Sequence, residues 1–261
     1  MEKPNRIQIS ENFEAIVEDY ELDRASLYQE RDRQDAKNNK YVPGVTNQLR
    51  HRYVLVPEII YRASGIMIRE KRIKSFLFTT DVAIIRNNNA GAVLAVYPFT
   101  PEATIMQATV QSASVPVFCG IGGGTTSGLR SAMLGFHAEI LGAYGVVVNA
   151  PISNKDIQLI TNHIDIPLIA TVVSERDDYM GKIKAGAQIL NISAGKDTVR
   201  LVSLIRSKVG EKFPIIATGG HKEVHIKQTI EAGANAISYT PPTSSEILHA
   251  IMEDYRREAG K

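Results

Sequence analysis

Three observations predict that this chain is an α/β protein, a (β/α)8 barrel with an N-terminal helical extension. Between residues 74 and 242 lie eight short apolar runs, each closed by Gly, Pro, Asn, Asp, Ser or Thr. These runs alternate strictly with stretches of helical pattern, which implies a parallel sheet, and eight is the number that closes into a barrel. A pair of local phrases also recurs about every 50 residues, that is, every two units.

The extension comes first in the chain. Residues 22–40 are crowded with charge and read as an exposed helix or arm, and 41–52 as a loop around Pro43-Gly44. Residues 56–73 open with Pro57 and Glu58, suited to a first helical turn, and then carry spaced apolar residues. Residues 1–73 are therefore expected to form a helical lead-in that plugs the barrel, covers its top or binds another subunit. The barrel is assigned to 74–261.

The eight runs are 74–81, 92–98, 115–124, 144–151, 166–174, 187–193, 214–220 and 235–242. Their apolar density along the whole run is that of strands buried on both faces. Runs three, five and seven begin with Val115-Pro116-Val117, Ile166-Pro167-Leu168 and Phe213-Pro214-Ile215. The even-numbered runs follow Ala90-Gly91-Ala92, Gly142-Ala143-Tyr144, Ala185-Gly186-Ala187 and Ala232-Gly233-Ala234. In these phrases Gly ends a helix in a left-handed turn, and Pro opens a strand where its missing amide costs no ladder bond. Helices fall between, as at 100–113, 153–164 and 196–210. An open doubly wound sheet predicts neither the count nor the two-unit alternation. About 185 residues suffice for this unit against roughly 250 in a typical barrel, so the loops must be short and the site compact.

Composition narrows the class of function. Apolar residues make up 44% and charged residues 22%, with a net charge of +2. That balance argues against a nucleic-acid surface spread over the domain. The single cysteine, Cys119, cannot form an intramolecular disulfide, and the acidic N-terminus lacks a signal-peptide core. No apolar run reaches the ~20 residues that span a bilayer. A cytoplasmic protein without membrane contact is expected, and a homo-oligomer.

In barrels of this kind the reactive groups sit where strands run into the following helices. Candidates there include Thr79 to Asp81, Tyr97, Cys119, Asn149, Ser174 to Arg176, Asn191, Ser193, Thr218 to His221 and Tyr239 to Thr243. Asp81 and Glu175 are the carboxylates suited to acid–base work, because a closed apolar mouth raises a carboxyl pKa toward neutrality. The structural alternative is that Asp81 caps the first barrel helix, and that Ser174 with Asp177 caps the fifth and leaves Glu175 exposed. Asn149 closes an apolar strand and could hold a carbonyl or hydroxyl. A loop with Gly122, Gly123, Gly124 and Thr125 follows the third strand. It is either an anion cradle or a turn required by close packing. The six histidines give no metal-ligand spacing, so no metal is expected. No lysine lies in a predicted strand, which argues against Schiff-base chemistry, and Cys119 reads as core.

The final quarter, PIIATGGHKEVHIKQTIEAGANAISYTPPTSSE, resembles the phosphate-binding quarter of the ribulose-phosphate-binding and inosine-monophosphate-dehydrogenase-like barrels. The resemblance implies a phosphate held by Gly219 and Gly220 and by the loop after strand eight. Glycine lets amides approach the oxygens, and a helix N-terminus adds favourable partial charge. Where that family has a glycine after strand eight, this chain has Tyr239-Thr240-Pro241-Pro242. The phosphate would then depend on Thr240, Thr243, Ser244 and Ser245. Thr243 with Glu246 also reads as a capping box.

The strand text as a whole also looks like bacterial barrels loosely labelled hydrolases, although no constellation of residues supports hydrolysis. The leading expectation is an enzyme of isomerase, lyase or synthase type acting on a small phosphorylated or anionic metabolite. The alternatives are a non-catalytic sensor similar in layout to the glycerol-uptake antiterminators, and a barrel that binds FMN. A sensor could present Arg50-His51-Arg52 and Lys71-Arg72-Lys74 to a partner. No cofactor is required by the sequence.

Overall fold

The computed structural model describes residues 53–220 and 222–259. Expectations for 1–52 and for His221 lie outside the described residues. The chain divides into two units, Val54–Ile247 and a second one formed by Met1–Tyr53 with Leu248–Lys261. Within the second unit, residues 248–259 carry the C-terminal part of the last helix.

The first unit opens with a 3-10 turn, Glu58–Arg62. Strands β1 (Ile66–Ile68) and β2 (Lys71–Ile73) follow as an antiparallel hairpin. This corrects the helical reading of 56–73. The helical pattern survives for one turn, and then Gly65 at φ 83 breaks it. Arg69 and Glu70 both adopt positive φ, 46 and 60, as a tight hairpin turn demands. Neither is the Asn or Gly that usually announces such a turn, so the sequence carries no signal for it. Ile66, Ile68 and Ile73 join the same buried cluster as Phe76, Leu94 and Phe118, which makes the hairpin a plug at the N-terminal end of the barrel. Arg72 donates to Ser64 O (2.6 Å), Lys74 donates to Tyr61 O, and Arg69 and Lys71 lie over the Tyr144 ring. The described part of the basic cluster is thus occupied with the plug itself.

The eight expected strands are all present. They are β3 (Ser75–Phe78), β4 (Ala92–Ala95), β5 (Val117–Gly122), β6 (Gly145–Val148), β7 (Leu168–Val172), β8 (Ile189–Ile192), β9 (Ile215–Thr218) and β10 (Ala236–Tyr239). Every neighbouring pair is parallel, and β10 pairs back onto β3 with Ser238 beside Phe76, so the barrel is closed. The intervening helices are α1 (Val82–Arg86), α2 (Ala103–Ser112), α3 (Gly128–Ile140), α4 (Asn154–Thr161), α5 (Tyr179–Lys184), α6 (Thr198–Val209) and α7 (Glu223–Glu231). The last helix, α8, spans Ser244–Ala259.

The two-unit repeat reappears as hydrogen bonding. Pro116, Pro167 and Pro214 each accept, through the carbonyl, from the preceding strand's Val93, Val146 and Leu190 amides. Each Pro thus keeps its acceptor in the ladder where it has no donor to offer. Gly142, Gly186 and Gly233 take the expected positive φ. Gly91 does not, and its place is set by the approach of the Ser75 carbonyl.

Side chains alternate across the wall, because successive residues of a strand face opposite ways. Leu77, Val93, Val146, Leu168, Leu190 and Ile215 face the helices. Phe76, Leu94, Phe118, Val147, Ile169, Ile189 and Ile216 fill the lumen. Phe76 and Phe118 meet edge to face at 5.3 Å, and Gly145 is bare because the Phe118 ring occupies the space a Cβ would need. Among the described residues the lower lumen is therefore filled by side chains, and its C-terminal end is the candidate place for a ligand. On the outside, α3 leaves Leu129, Met133, Phe136 and Ile140 exposed in one row at helical spacing.

Candidate ligand site at the barrel mouth

Continuing the alternation upward from the apolar lumen places Gly120, Asn149, Thr171, Asn191, Thr218 and Ser238 on the inner wall at the strand ends. Thr171 and Asn191 stand directly opposite each other on β7 and β8, and Thr218 and Ser238 on β9 and β10. All are neutral. Thr171, Asn191 and Ser238 are buried, Thr218 is half-buried, and Asn191 Oδ1 has no hydrogen-bond partner. A buried carbonyl oxygen left unpaired costs about 1–3 kcal/mol, and Asn191 Oδ1 is the one such atom on the inner wall, the other two among the described residues being the Ser131 and Ser244 hydroxyls. Asn191 and Thr218 are on the strand-end list from sequence. Thr171 and Ser238 are not, because they lie inside the apolar runs, where only the inward register betrays them.

The sequence-predicted carboxylates do not face this wall. Asp81 is the N-cap of α1: its Oδ1 accepts from Ala83 N–H (2.9 Å) and Ile84 N–H (3.3 Å). Its Oδ2 accepts from Ser244 N–H (3.1 Å), at the start of α8. Partial burial alone would raise this carboxyl, but hydrogen bonds from Ser244, Ile84 and Ala83 outweigh burial and hold it below the usual carboxylate range. Asp81 is therefore a fixed anion bridging two helix starts, not a carboxyl poised near neutrality. Glu175 is exposed and ion-paired with Arg200 of α6. The cap of α5 is Asp178, through Gly181 N–H, whereas Asp177 accepts from Val173 and Ser174 N–H and closes the loop that carries Glu175.

The start of α8 is largely satisfied by the chain's own groups. Thr243 N–H and hydroxyl both donate to Glu246 Oε2 (2.7 and 2.9 Å), and Glu246 N–H donates back to Thr243 Oγ1 (3.2 Å), a complete capping box. These bonds hold the Glu246 carboxyl low. With Ser244 N–H given to Asp81, the amide of Ser245 is left for a ligand. Gly219 N–H donates to Ser238 O (3.2 Å), and a side chain there would strike Ile237 and Ile226, so this glycine serves packing. Gly220 is exposed at φ 69, with open space around it. Thr240 is exposed above Ser238. Of the expected phosphate loop, Gly220, Thr240 and Ser245 are the positions open to a ligand.

The glycine-rich loop after β5 is shaped by its neighbour. Gly123, at φ 92, lies so close to Asn149 that a Cβ would sit 2.6 Å from its carbonyl oxygen. Gly123 N–H donates to Thr126 O, and Asn149 N–H donates to Gly122 O. Gly122 would meet Ser131 Oγ at 2.1 Å. Gly124 and Thr125 are exposed, and Gly124 has only Asn149 Nδ2 nearby. Both sequence readings thus have a place: Gly122 and Gly123 answer to packing, and Gly124 and Thr125 remain free at the rim.

Lys182, on α5, is a buried cation that the sequence does not single out. Its Nζ donates to Ala150 O (2.8 Å) and Thr171 O (2.9 Å). The β6–β7 ladder ends at Val148 and Ala170, so these two carbonyls lie just beyond it. The ammonium fills the splay between the strands. Burial lowers its pKa, against the pull of Asp177 and Asp178. Cys119 is buried, and burial pushes its thiol up to about 12, consistent with a core residue rather than a nucleophile. Among the described residues no group of three or more His, Cys, Asp or Glu is placed to hold a metal ion. No described helix is long and apolar enough to cross a membrane.

No family model matches the chain, and no curated protein sequence matches it. Solved structures do. A phosphonopyruvate hydrolase in complex with oxalate and Mg2+ is similar at 14% identity and TM-score 0.56, over 73% of this chain and 83% of that one. A phosphoenolpyruvate phosphomutase from Streptomyces platensis subsp. rosaceus is similar at 12% identity and TM-score 0.56, over 76% and 83%. So is 2,3-dimethylmalate lyase, a member of the PEP mutase/isocitrate lyase superfamily, at 12% identity and TM-score 0.54, over 77% and 84%. The superfamily of that lyase is not the one the final quarter resembles, and at such identities the likeness establishes the (β/α)8 fold alone.

Proposed function

We propose that the barrel is an enzyme that takes a small carboxylate- or phosphate-bearing metabolite at its C-terminal mouth and turns it over by proton transfer, as an isomerase, lyase or synthase does. The observation that carries this reading is the arc of neutral polar side chains that β6 to β10 present around Asn191, standing on an otherwise apolar lumen. The rim positions Gly220, Thr240 and Ser245, with Gly124 and Thr125 across the mouth, meet the anion through amides and hydroxyls. The structurally similar proteins act, by their names, on phosphonopyruvate, phosphoenolpyruvate and 2,3-dimethylmalate, which supports a small anionic substrate. In this reading Asn149 orients the substrate, Asp81 fixes the rim, and Glu175 is the carboxylate left to exchange a proton once its loop moves. A homo-oligomer completes the proposal, with the exposed row Leu129, Met133, Phe136 and Ile140 facing a second copy of the chain.

The second reading, a metabolite sensor, draws on one observation: both sequence-predicted carboxylates are already engaged, Asp81 with two helix starts and Glu175 with Arg200. Incubation in D2O with small carboxylates and phosphate esters, followed by proton NMR, separates the two. Exchange of a substrate C–H that Glu175→Gln abolishes while binding persists supports the enzyme. Saturable binding without exchange supports the sensor. Absence of binding across the set contradicts both. A yellow purified protein would add FMN as the occupant of the same rim.

A further inference from the structure

Resting on the anion reading above, we infer that the ligand also carries a hydroxyl, received by Asn191 at the base of the mouth, so that its class is a hydroxy acid or a hydroxylated phosphate ester. Asn191 is 8% exposed, and its Oδ1 is fully buried without a partner. Its position on β8, between Ile189 below and Ser193 above on the inward register, aims it into the barrel. Directly opposite stands Thr171, also 8% exposed, which brings a hydroxyl to the same depth.

The chemistry of the place selects a neutral group with both donor and acceptor character. The apolar floor of Ile169, Ile189 and Ile216 lies immediately beneath, and no charged side chain of the described strands faces the lumen. An anionic group pushed to this depth would be desolvated, and the buried Lys182 ammonium beside Thr171 is already engaged by the Ala150 and Thr171 carbonyls. A carboxamide presents an acceptor on one edge and donors on the other, and a hydroxyl can answer either edge. The anionic end of the ligand then stays at Gly220 and Ser245, where amides are open. The two ends together make the mouth selective for molecules with an anion at one end and an alcohol at the other.

The test uses the full chain and paired probes that differ by hydroxyl groups, malate against succinate and glycerol 1-phosphate against propyl phosphate. Calorimetry is expected to show the hydroxylated member binding about tenfold more tightly or better. In Asn191→Leu the two members should bind alike. Equal affinities in the wild type, or a preference that survives in Asn191→Leu, overturn the inference and leave the rim reading standing. Failure of all four probes and of inorganic phosphate to bind overturns the rim reading and this inference with it. The ligand-free melting temperature gives a second arm that needs no ligand. Leu fills a similar volume and removes the unpaired carboxamide, so Asn191→Leu should melt at or above the wild type. A clear drop would show that the fold itself satisfies Asn191, by a buried water for example, and would contradict a ligand role.

Discussion

Asp81 has two tasks that a single carboxylate can perform only because the barrel closes. As a cap it serves its own helix, which the sequence shows directly: an Asp precedes the first helical residue. As the acceptor for Ser244 N–H, 163 residues away, it ties the first loop to the last. That second contact was not legible, since it exists only once β10 lies beside β3. Asp81→Ala should lower stability by about 1–2 kcal/mol, measured by urea denaturation at neutral pH. The same carboxylate gives a pH signature. Its pKa is lower folded than unfolded, so its contribution is present above the unfolded carboxylate range and is lost as pH falls through the folded value. The stability gap between wild type and Asp81→Asn should therefore be open at neutral pH and close in acid. A gap independent of pH would show that the charge contributes nothing.

At the scale of elements, the loops and helix starts decide what the mouth can hold. The strands were legible because each is apolar on both faces and punctuated at its ends, and all eight lie within their expected runs. The hairpin was not, because its turn uses Arg69 and Glu70 at positive φ where sequence rules look for Asn or Gly. Lys182 was hidden for a related reason: the carbonyls it joins belong to different β/α units. Lys182→Met would leave both without a donor and should cost about 1–3 kcal/mol, seen as a lower melting temperature. The glycine loop offers a matched pair. Gly123→Ala forces a side chain against the Asn149 backbone at a strained φ and should destabilise by roughly 2 kcal/mol or more. Gly124→Ala points into open space and should leave the melting temperature unchanged. If Gly124→Ala nonetheless weakens phosphate binding, the loop belongs to the rim, whereas unchanged binding assigns it to packing alone.

At the scale of the whole barrel, the described residues of Val54–Ile247 plug one end and leave the other polar. The hairpin isoleucines and the Phe76–Phe118 pair seal the lower lumen, which leaves Thr171, Asn191, Thr218 and Ser238 as the floor of whatever binds above. Phe136→Glu should shift the mass measured by light scattering to that of one chain if the exposed row on α3 joins two copies, and leave it unchanged otherwise. The claim on which the functional account rests is that a small anion enters at the strand C-termini. Titration of isotopically labelled protein with oxalate or phosphate, followed through backbone amide resonances, tests it most directly. Saturable shifts at millimolar ligand are expected at the rim, at Gly220, Thr240 and Ser245 and at Gly124 and Thr125 across the mouth. Shifts that cluster on the β1–β2 hairpin, or a spectrum unmoved by either anion, would contradict it.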